Sequence, residues 1–232
     1  MCEADATQPP FFIYPLDMAS VLITGGTGYM GRALIPELLR RSHQVHALVR
    51  PGSEKKLPAG ATSIRGDALD AASVRQAIPG CDTLVHLVGV AHPGPAKATQ
   101  FLTIDLVSIE ASVAAARDSA IRHFVYVSVA HPAPVMKDFI AVRRKGECLI
   151  REAEFIATIL RPWYVLGPGH RWPYVLIPIY RIMEHLSATR DAAIRLGLVN
   201  LRQMVAALVD AVEHPPAAIR IVEPREIRMA RI

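Results

Sequence analysis

Three glycines, Gly25, Gly28 and Gly31, form the clearest chemical pattern in this sequence of 232 residues. They lie in the segment TGGTGYMG, which follows the β-branched run SVLIT and precedes apolar residues at helical spacing. Glycine at a strand-to-helix junction lets the backbone turn sharply and approach a phosphate, and the helix N-terminus offers free N–H groups and a positive dipole end. The loop therefore predicts a pyrophosphate site, and the cofactor-binding residues expected in this segment are Gly25, Thr27, Gly28, Tyr29, Met30, Gly31 and Arg32.

The residue that follows the second predicted strand indicates which dinucleotide would bind. This strand covers Gln44–Val49 and ends about twenty residues after the glycine loop, a spacing typical of dinucleotide-binding sites. NAD-specific sites place an acid there for the ribose hydroxyls, but this sequence has Arg50, and the nearest acid is Glu54. Because guanidinium groups pair well with phosphate oxygens, Arg50 and Arg32 favour NADP, with NAD possible. The alternative is that both are solvated surface arginines.

The rest of the chain alternates between predicted strands and helices. After the first two strands, the sequence predicts strands over Thr62–Arg65, Thr83–Val90, His123–Val129 and Ala157–Leu160. Between them it predicts helices over Ala71–Ile78, with Asp70 as the N-cap, over Phe101–Ser119 and over about Ile140–Ala153. This alternation predicts an α/β fold, a doubly wound and mostly parallel Rossmann sheet.

The length of the chain suits one domain. Residues 1–17 carry acids and prolines and are predicted to be a disordered leader, and residues 18–232 a single NAD(P)-binding domain. After residue 163 the alternation weakens, so residues 163–232 are expected to supply most of a small C-terminal substrate lobe. The elements predicted there are helices over Val175–His185 and Asn200–His214 and a strand over Ile219–Val222.

The composition excludes several classes of protein. Hydrophobic residues make up 51% of the chain and charged residues 20%, which fits a sheet buried on both faces and excludes extended disorder. The net charge of +5 comes from scattered basic residues without a basic stripe, which argues against a nucleic-acid partner and suits an anionic ligand. The segment WPYVLIPIYRIM is too short to span a bilayer.

The three cysteines, Cys2, Cys81 and Cys148, lie far apart in the sequence. Their spacing matches neither a metal-binding pattern nor a disulfide framework. We therefore expect no metal site and a reducing, cytoplasmic setting.

Beyond the glycine loop, four further segments carry a family resemblance. They are GDALD at Gly66–Asp70, LVHLVGV at Leu84–Val90, YVSV at Tyr126–Val129 and LRPWYVLGPG at Leu160–Gly169. With them the chain resembles the short-chain dehydrogenase/reductase superfamily, and more narrowly its atypical branch of NmrA-like and complex-I-accessory-subunit-like NAD(P)-binding proteins. The resemblance covers Ser20 to about Val222.

The resemblance implies roles for residues at the ends of the predicted strands. Asp67 and Ala68 would flank the adenine, and Ser128 would lie near the nicotinamide as a catalytic residue. The residues expected on the adenosine ribose side are Leu87, Val88 and Gly89, and those expected to border the nicotinamide carboxamide are Pro162 and Val165.

The catalytic pattern of that superfamily is incomplete in this chain. Its Tyr-x-x-x-Lys motif corresponds to AVRRK, in which Ala141 replaces the tyrosine and Lys145 is kept. An alanine cannot transfer a proton, so the resemblance implies that Lys145 holds the nicotinamide ribose or donates the proton itself. An exposed surface lysine is the alternative. The sequence offers Tyr164, Tyr174, His131 and His170 as substitute acids without preferring one.

Two further features have ordinary structural interpretations. His86 lies inside an apolar strand and is expected to be a core histidine with its hydrogen bonds satisfied. The aromatic cluster of Trp163, Trp172 and Tyr174 is expected to serve packing more than substrate binding.

These observations leave three functional hypotheses in order of preference. The first is an NADPH-dependent reductase of a small carbonyl, enone, quinone or flavin-type substrate. The second is a non-catalytic dinucleotide-binding protein that acts as a redox sensor or assembly factor. The third is a sugar-nucleotide epimerase or dehydratase, against which Ala141 counts directly. Fold alone does not choose among them, since function depends on the site.

Overall fold

The computed structural model describes residues 18–168 and 196–231. Within these ranges, no helix is both long enough and apolar enough to cross a membrane. Several sequence predictions lie outside the described residues, namely the leader over residues 1–17, the helix over Val175–His185, and the side chains of His170, Trp172 and Tyr174.

A seven-stranded parallel sheet forms the centre of the protein, in the order β3-β2-β1-β4-β5-β6-β9. Its central strands β4, β5 and β6 are buried along their whole length because helices cover both faces. The predicted doubly wound Rossmann fold is thereby confirmed. The strand bounds are β1 Ser20–Thr24, β2 Gln44–Val49, β3 Thr62–Arg65, β4 Thr83–His86, β5 His123–Val127, β6 Ala157–Leu160 and β9 Ile219–Val222, while β7 Tyr164–Leu166 and β8 Leu198–Asn200 form a separate parallel pair.

Helices pack on both faces of the sheet and bury two apolar cores. One core includes Leu34, Leu38 and Leu208, and the other includes Val74 and Ile150. The helix bounds are α1 Tyr29–Arg40, α2 Ala71–Ala77, α3 Ala98–Gln100, α4 Val107–Ala116, α5 Lys137–Glu152, α6 Leu201–Glu213 and α7 Pro224–Met229. As predicted, the Asp70 side chain caps α2, accepting N–H bonds from Ala72 and Ser73.

The strand predicted over Thr83–Val90 is shorter in the structure and ends at His86. The apolar run continues, but Leu87 N–H donates to the carbonyl oxygen of Thr24 at 2.9 Å, next to the glycine loop. Residues 87–90 then leave the sheet and line its carboxyl edge. The prediction was wrong here because a continuous apolar run does not show where ladder pairing stops.

The helix predicted over Phe101–Ser119 is also corrected. Helical structure begins earlier, at Ala98, passes through a π-helical segment at Phe101–Leu106, and ends with α4 at Ala116. Asp105 lies buried in that π-helical segment. A π-helix often marks a functional position because its extra residue redirects side chains within a helix.

The C-terminal elements complete the main sheet and its helical layer. β9 pairs with β6, and α6 packs against α1. Arg41, at the end of α1, donates through Nη1 to both carboxylate oxygens of Glu213 at 3.1 Å, which joins the ends of the two helices. Asn200 and Gln203 form a reciprocal capping box at the start of α6. That residues 163–232 supply a substrate lobe remains a prediction.

Candidate functional site

The strand order places a crevice between the carboxyl ends of β1 and β4. From β1 the chain adds β2 and β3 on one side, then crosses to β4 and continues through β5 and β6 on the other. In open parallel sheets, the two flanking connections diverge at such a switch point and leave a crevice in which ligands bind. The glycine loop follows β1 directly, so it lies at this crevice.

The glycines are required by close backbone contacts at the crevice. Gly25 has a positive φ of 81°, and a Cβ on it would lie 2.8 Å from the carbonyl carbon of Leu87. A Cβ on Gly31 would lie 2.6 Å from the carbonyl oxygens of Gly25 and Gly26. The loop thus packs backbone against backbone on the end of β4, which no other residue type would permit.

The first turn of α1 is open to an anion. Gly28 is the N-cap residue and has no side chain that could cap the backbone N–H groups of the first turn. The first turn carries no acidic residue that would repel a phosphate. The loop thus fits a pyrophosphate group, as the glycine spacing predicts.

Two arginines lie exposed at the part of the crevice where the sequence predicts the adenosine. Arg50 follows β2 and is exposed, and Arg32 is exposed in the first turn of α1. The nearest acid, Glu54, accepts a hydrogen bond from Arg65 Nε at 2.8 Å. Arg65 itself ends β3 in register with Val49, immediately before Arg50. Arg65 thus engages the Glu54 carboxylate, and the side chain of Arg50 stays exposed.

The residues predicted to flank adenine and its ribose lie on neighbouring loops. Asp67 is exposed after β3, and its carboxylate accepts the N–H of Leu69 at 3.0 Å, which holds the turn that also exposes part of Ala68. Leu87 and Val88 are half-buried and Gly89 is exposed, all on the loop that follows β4. The fold therefore brings these residues to the same sheet edge as the glycine loop.

Ser128 lies at the end of β5 and is almost fully buried. Its hydroxyl donates to Glu147 Oε1 at 2.6 Å, and Arg161 donates to the same carboxylate through Nε at 2.9 Å and Nη2 at 2.5 Å. Arg161 Nη1 also donates to Glu223 at 3.0 Å. Burial alone raises the pKa of Glu147, but the bonds from Arg161 and Ser128 lower it below its ordinary value. Glu147 is thus an ionised acceptor, and Ser128 keeps only its lone pairs for a ligand.

Lys145 and Ala141 lie one turn apart on the exposed side of α5. Within the described residues, the Lys145 ammonium group makes no hydrogen bond or ion pair. Pro162 is buried, and its carbonyl accepts the N–H of Ala130 at 3.1 Å, while Val165 is half-buried in β7. The structure leaves Lys145 available to a ligand, whereas it ties Pro162 to the end of β5.

The substitute acids that the structure describes differ in how they are held. His131 is half-buried, and its Nδ1 lies 3.0 Å from the carbonyl oxygen of Val129. Tyr164 is half-buried in β7.

His86 is fully buried among the hydroxyls of Thr24, Ser108 and Ser112, and burial lowers its pKa to about 3. The prediction of a satisfied core histidine is confirmed.

Two buried charge networks beside the site were not predicted. They centre on Arg143 and Glu147 of α5, each of which has an oppositely charged partner on another element. A signal for both existed in the sequence, because Arg143 and Glu147 occupy the same helical stripe as Ile140 and Ile150. Charged residues on an apolar stripe are buried when partners exist, but the partners lie too far along the chain to be identified from spacing.

The fold and the glycine loop define a dinucleotide-binding Rossmann protein. Residues 25–176 match the protein family described as NAD(P)H-binding. The chain belongs to this NAD(P)H-binding family.

Several relatives of known activity share part of this sequence. A 4-hydroxy-2-methyl-3-oxo-4-farnesyl-3,4-dihydroquinoline-1-oxide ketoreductase of Stigmatella aurantiaca is 30% identical over 62% of this chain and 50% of its own length. A 2-alkyl-3-oxoalkanoate reductase of Stenotrophomonas maltophilia is 28% identical over 64% of this chain and 52% of its own. A ceramide reductase of Caulobacter vibrioides is 25% identical over 90% and 65%. The chain thus spans about half to two thirds of the length of these relatives.

Solved structures share the fold at lower identity. The enzyme WbmH of Bordetella bronchiseptica, determined with NAD⁺, superimposes with a TM-score of 0.65 and 20% identity over 88% of this chain and 74% of its own. A short-chain dehydrogenase/reductase superfamily protein of Agrobacterium tumefaciens with bound NAD gives the same TM-score and identity over 89% and 77%. At this identity the likeness establishes the fold alone.

Proposed function

We propose that this chain is an NADPH-dependent reductase of a small carbonyl or enone substrate. The observation that carries the proposal is the glycine loop at the β1–β4 crevice, with exposed arginines on its adenosine side and Lys145 unengaged on α5. A bound NADPH would supply hydride from its nicotinamide ring. The roles of the chain are to hold the dinucleotide and to provide a proton.

The preference for NADPH over NADH rests on Arg50. Its guanidinium is free of ion pairs within the described residues, and the neighbouring Glu54 is engaged by Arg65. A 2′-phosphate would gain charge-assisted hydrogen bonds there, with Arg32 as a second donor. A ribose 2′-hydroxyl would lack these charge-assisted hydrogen bonds.

Arg50→Asp is expected to raise the Kd for NADPH about tenfold or more, since one charge-assisted pair contributes roughly 1.5–3 kcal/mol. The same change is expected to leave the Kd for NADH similar or lower, because the new carboxylate can accept ribose hydroxyls. Both constants can be measured by fluorescence titration. Arg117→Asp makes the same charge change at an exposed position at the end of α4 and is the control. An unaltered preference in Arg50→Asp would refute the contact.

The proton required for carbonyl reduction is assigned to Lys145. On reduction, the carbonyl oxygen of the substrate would gain negative charge, and the Lys145 ammonium group would donate a proton to it. The amine that remains recovers a proton from solvent, to which the side chain is exposed. Ser128 does not supply this proton, because its hydroxyl already donates to Glu147.

Lys145→Met is expected to lower kcat about 100-fold or more, which is the typical contribution of a positioned general acid. Lys137→Met removes an exposed lysine from the start of the same helix and is expected to leave kcat unchanged. Steady-state NADPH oxidation with a substrate found by screening gives the comparison. Equal turnover in the wild type and Lys145→Met would remove Lys145 from the mechanism.

The substrate class is supported by the printed activities of the relatives. The three named above are a ketoreductase, an oxoalkanoate reductase and a ceramide reductase, and their names include farnesyl and alkyl groups. We therefore place ketones and enones that carry an apolar chain first in a screening panel, followed by quinones and flavins. NADPH oxidation with any member would identify the class, and turnover with quinones alone would overturn the carbonyl assignment.

A second candidate function is a dinucleotide-binding sensor or assembly factor. Ala141 in place of the tyrosine and the engagement of the Ser128 hydroxyl by Glu147 both favour it, because neither residue can then transfer a proton. Tight NADPH binding without oxidation across the whole panel would support this candidate and overturn the reductase. Turnover abolished by Lys145→Met would exclude it.

A further inference from the structure

Arg143 of α5 connects three separate parts of the crevice wall. Its Nη1 donates to the carbonyl oxygen of Val127 at 2.9 Å, at the end of β5. Its Nη2 donates to the carbonyl oxygen of Val88 at 3.4 Å and to Asp105 Oδ1 at 2.5 Å. One guanidinium thus joins the ends of two adjacent strands to the π-helical segment that precedes α4.

Asp105 extends this connection to the loop after β4. Its second carboxylate oxygen, Oδ2, accepts the N–H of Val90 at 2.9 Å. The loop is therefore held at both ends, by Arg143 at Val88 and by Asp105 at Val90. We refer to Arg143, Asp105 and their contacts with Val88, Val90 and Val127 as the arginine clamp.

The clamp lies in a buried environment. The side chains of Arg143 and Asp105 are only 8% and 1% exposed. The guanidinium also lies over the ring of Phe139, with its central carbon 5.1 Å from the ring centroid, while its Nε has no hydrogen-bond partner in the described structure. Burying two charges is costly unless each is well paired, so the pair is retained at some expense to stability.

The clamp is packed directly beneath Gly89, between the two held residues. A Cβ on Gly89 would overlap Arg143 Nη2 and would lie 3.3 Å from Asp105 Oδ1. Gly89 itself is exposed. The guanidinium therefore packs against the backbone of an exposed residue of the loop that follows β4.

We propose that Arg143 is a positioning residue, which holds the loop Leu87–Val90 in the shape on which the dinucleotide lies. This inference rests on the proposed function, because it requires the β1–β4 crevice to bind NADPH. Arg143 is buried beneath the loop and acts through it, without touching the cofactor. The role also explains why residue 89 is glycine, since any side chain there would displace the guanidinium.

Arg143→Met is expected to raise the Kd for NADPH about tenfold, because a loop released at Val88 misplaces the surface that the cofactor contacts. Asp105→Asn combined with Arg143→Met removes both charges together and is the variant to use if Asp105, left unpaired, prevents folding. Arg143→Lys is expected to restore binding in part, because an ammonium group can reach Asp105 but cannot bridge three acceptors. Arg144→Met is the control, since Arg144 is the exposed neighbour on α5.

A coupling experiment separates positioning from a general loss of stability. Gly89→Ala is expected to raise the Kd for NADPH in the wild-type background, but to change it by less than about twofold in the Arg143→Met background, where the overlapping guanidinium is gone. All titrations are made well below each variant's unfolding midpoint. If Arg143 only stabilised the fold, Arg143→Met would lower the unfolding midpoint but leave the Kd for NADPH unchanged. Its effect on the Kd would then show no coupling with that of Gly89→Ala.

The outcomes distinguish this inference from the function on which it rests. A wild-type protein that binds neither NADPH nor NADH would overturn both. If the wild type binds NADPH and the Arg143 variants bind it equally well, the positioning role alone is overturned. An effect of Gly89→Ala that is the same in both backgrounds would also overturn it, since the methyl group would then act on the cofactor directly. A raised Kd with coupling between the two positions supports it.

Discussion

Replacing Gly25 with alanine is expected to weaken NADPH binding about 100-fold, equivalent to the loss of one or two charge-assisted hydrogen bonds. The new Cβ would lie 2.8 Å from the carbonyl carbon of Leu87 and 2.9 Å from the backbone nitrogen of Val88. Neither atom belongs to a flexible side chain, so the glycine loop and the end of β4 must separate. Separation displaces the α1 N-terminus, whose N–H groups are aligned for the pyrophosphate.

Gly80→Ala is the matched control for this substitution. Gly80 has a φ of 84°, nearly the same as the 81° of Gly25, but a Cβ there would meet nothing within 4 Å. Both alanines thus impose the same backbone strain, of about 1 kcal/mol, and only Gly25→Ala adds the collision with β4. The difference in the Kd for NADPH between Gly25→Ala and Gly80→Ala therefore measures the effect of the collision with the end of β4.

The comparison requires only NADPH titration and thermal unfolding. We expect both variants to lose some stability and Gly25→Ala alone to lose binding. If Gly25→Ala bound NADPH as tightly as Gly80→Ala, the dinucleotide would lie elsewhere, and the assignment of the crevice would have to be abandoned.

Glu147→Gln is expected to destabilise the fold by about 3 kcal/mol, the lower end of the range for breaking one side of a buried ion pair. The Glu147 and Arg161 side chains are only 5% and 13% exposed. Glutamine has the same shape and can still accept the Ser128 hydroxyl, but it leaves the Arg161 charge with Glu223 alone. For a domain of this size, the loss corresponds to a decrease in Tm of roughly 6–12 °C.

The stabilisation from Glu147 is expected to depend on pH. Its pKa in the folded protein is lowered from the ordinary value of 4.5. A lowered carboxyl pKa contributes stability fully above the ordinary value, and this contribution is lost as the pH falls through the folded value. The difference in unfolding free energy between the wild type and Glu147→Gln should therefore be constant near neutral pH and decrease below about pH 4.5.

Urea unfolding at several pH values measures this difference, with Glu37→Gln as the control. Glu37 pairs with Arg40 and Arg41, whose side chains are 62% and 29% exposed, so the control should cost less than Glu147→Gln. A Glu147→Gln difference that stays unchanged in acid would show that the carboxylate charge is not what stabilises the network.

The glycine loop could be predicted because its requirements are local. A tight turn between a strand and a helix needs glycine at fixed positions, and Gly25 and Gly31 make the close backbone contacts that this rule demands. The bounds of β1, β2, β3 and β6 also agree with the sequence prediction. In each case hydrophobic pattern and turn residues lie within a few positions of one another.

The environments of the two residues proposed for the nicotinamide side could not be predicted. Ser128 and Lys145 are located by the family resemblance, but the sequence did not show that one is engaged by Glu147 and the other exposed. The sequence alone does not distinguish the buried, hydrogen-bonded environment of Ser128 from the exposed environment of Lys145. This difference depends on the rotation of α5 against the sheet, which many distant contacts determine together.

The sequence by itself determined the layered fold, the place of the glycine loop and the basic residue after β2, because backbone conformation and hydrophobic periodicity act over short stretches of chain. The tertiary structure alone decided which charges meet. Arg143 pairs with Asp105 across 38 residues, and Arg161 with Glu223 across 62. A buried charge pairs with an opposite charge that lies beside it in the folded protein, and the number of residues between the two partners does not predict that proximity.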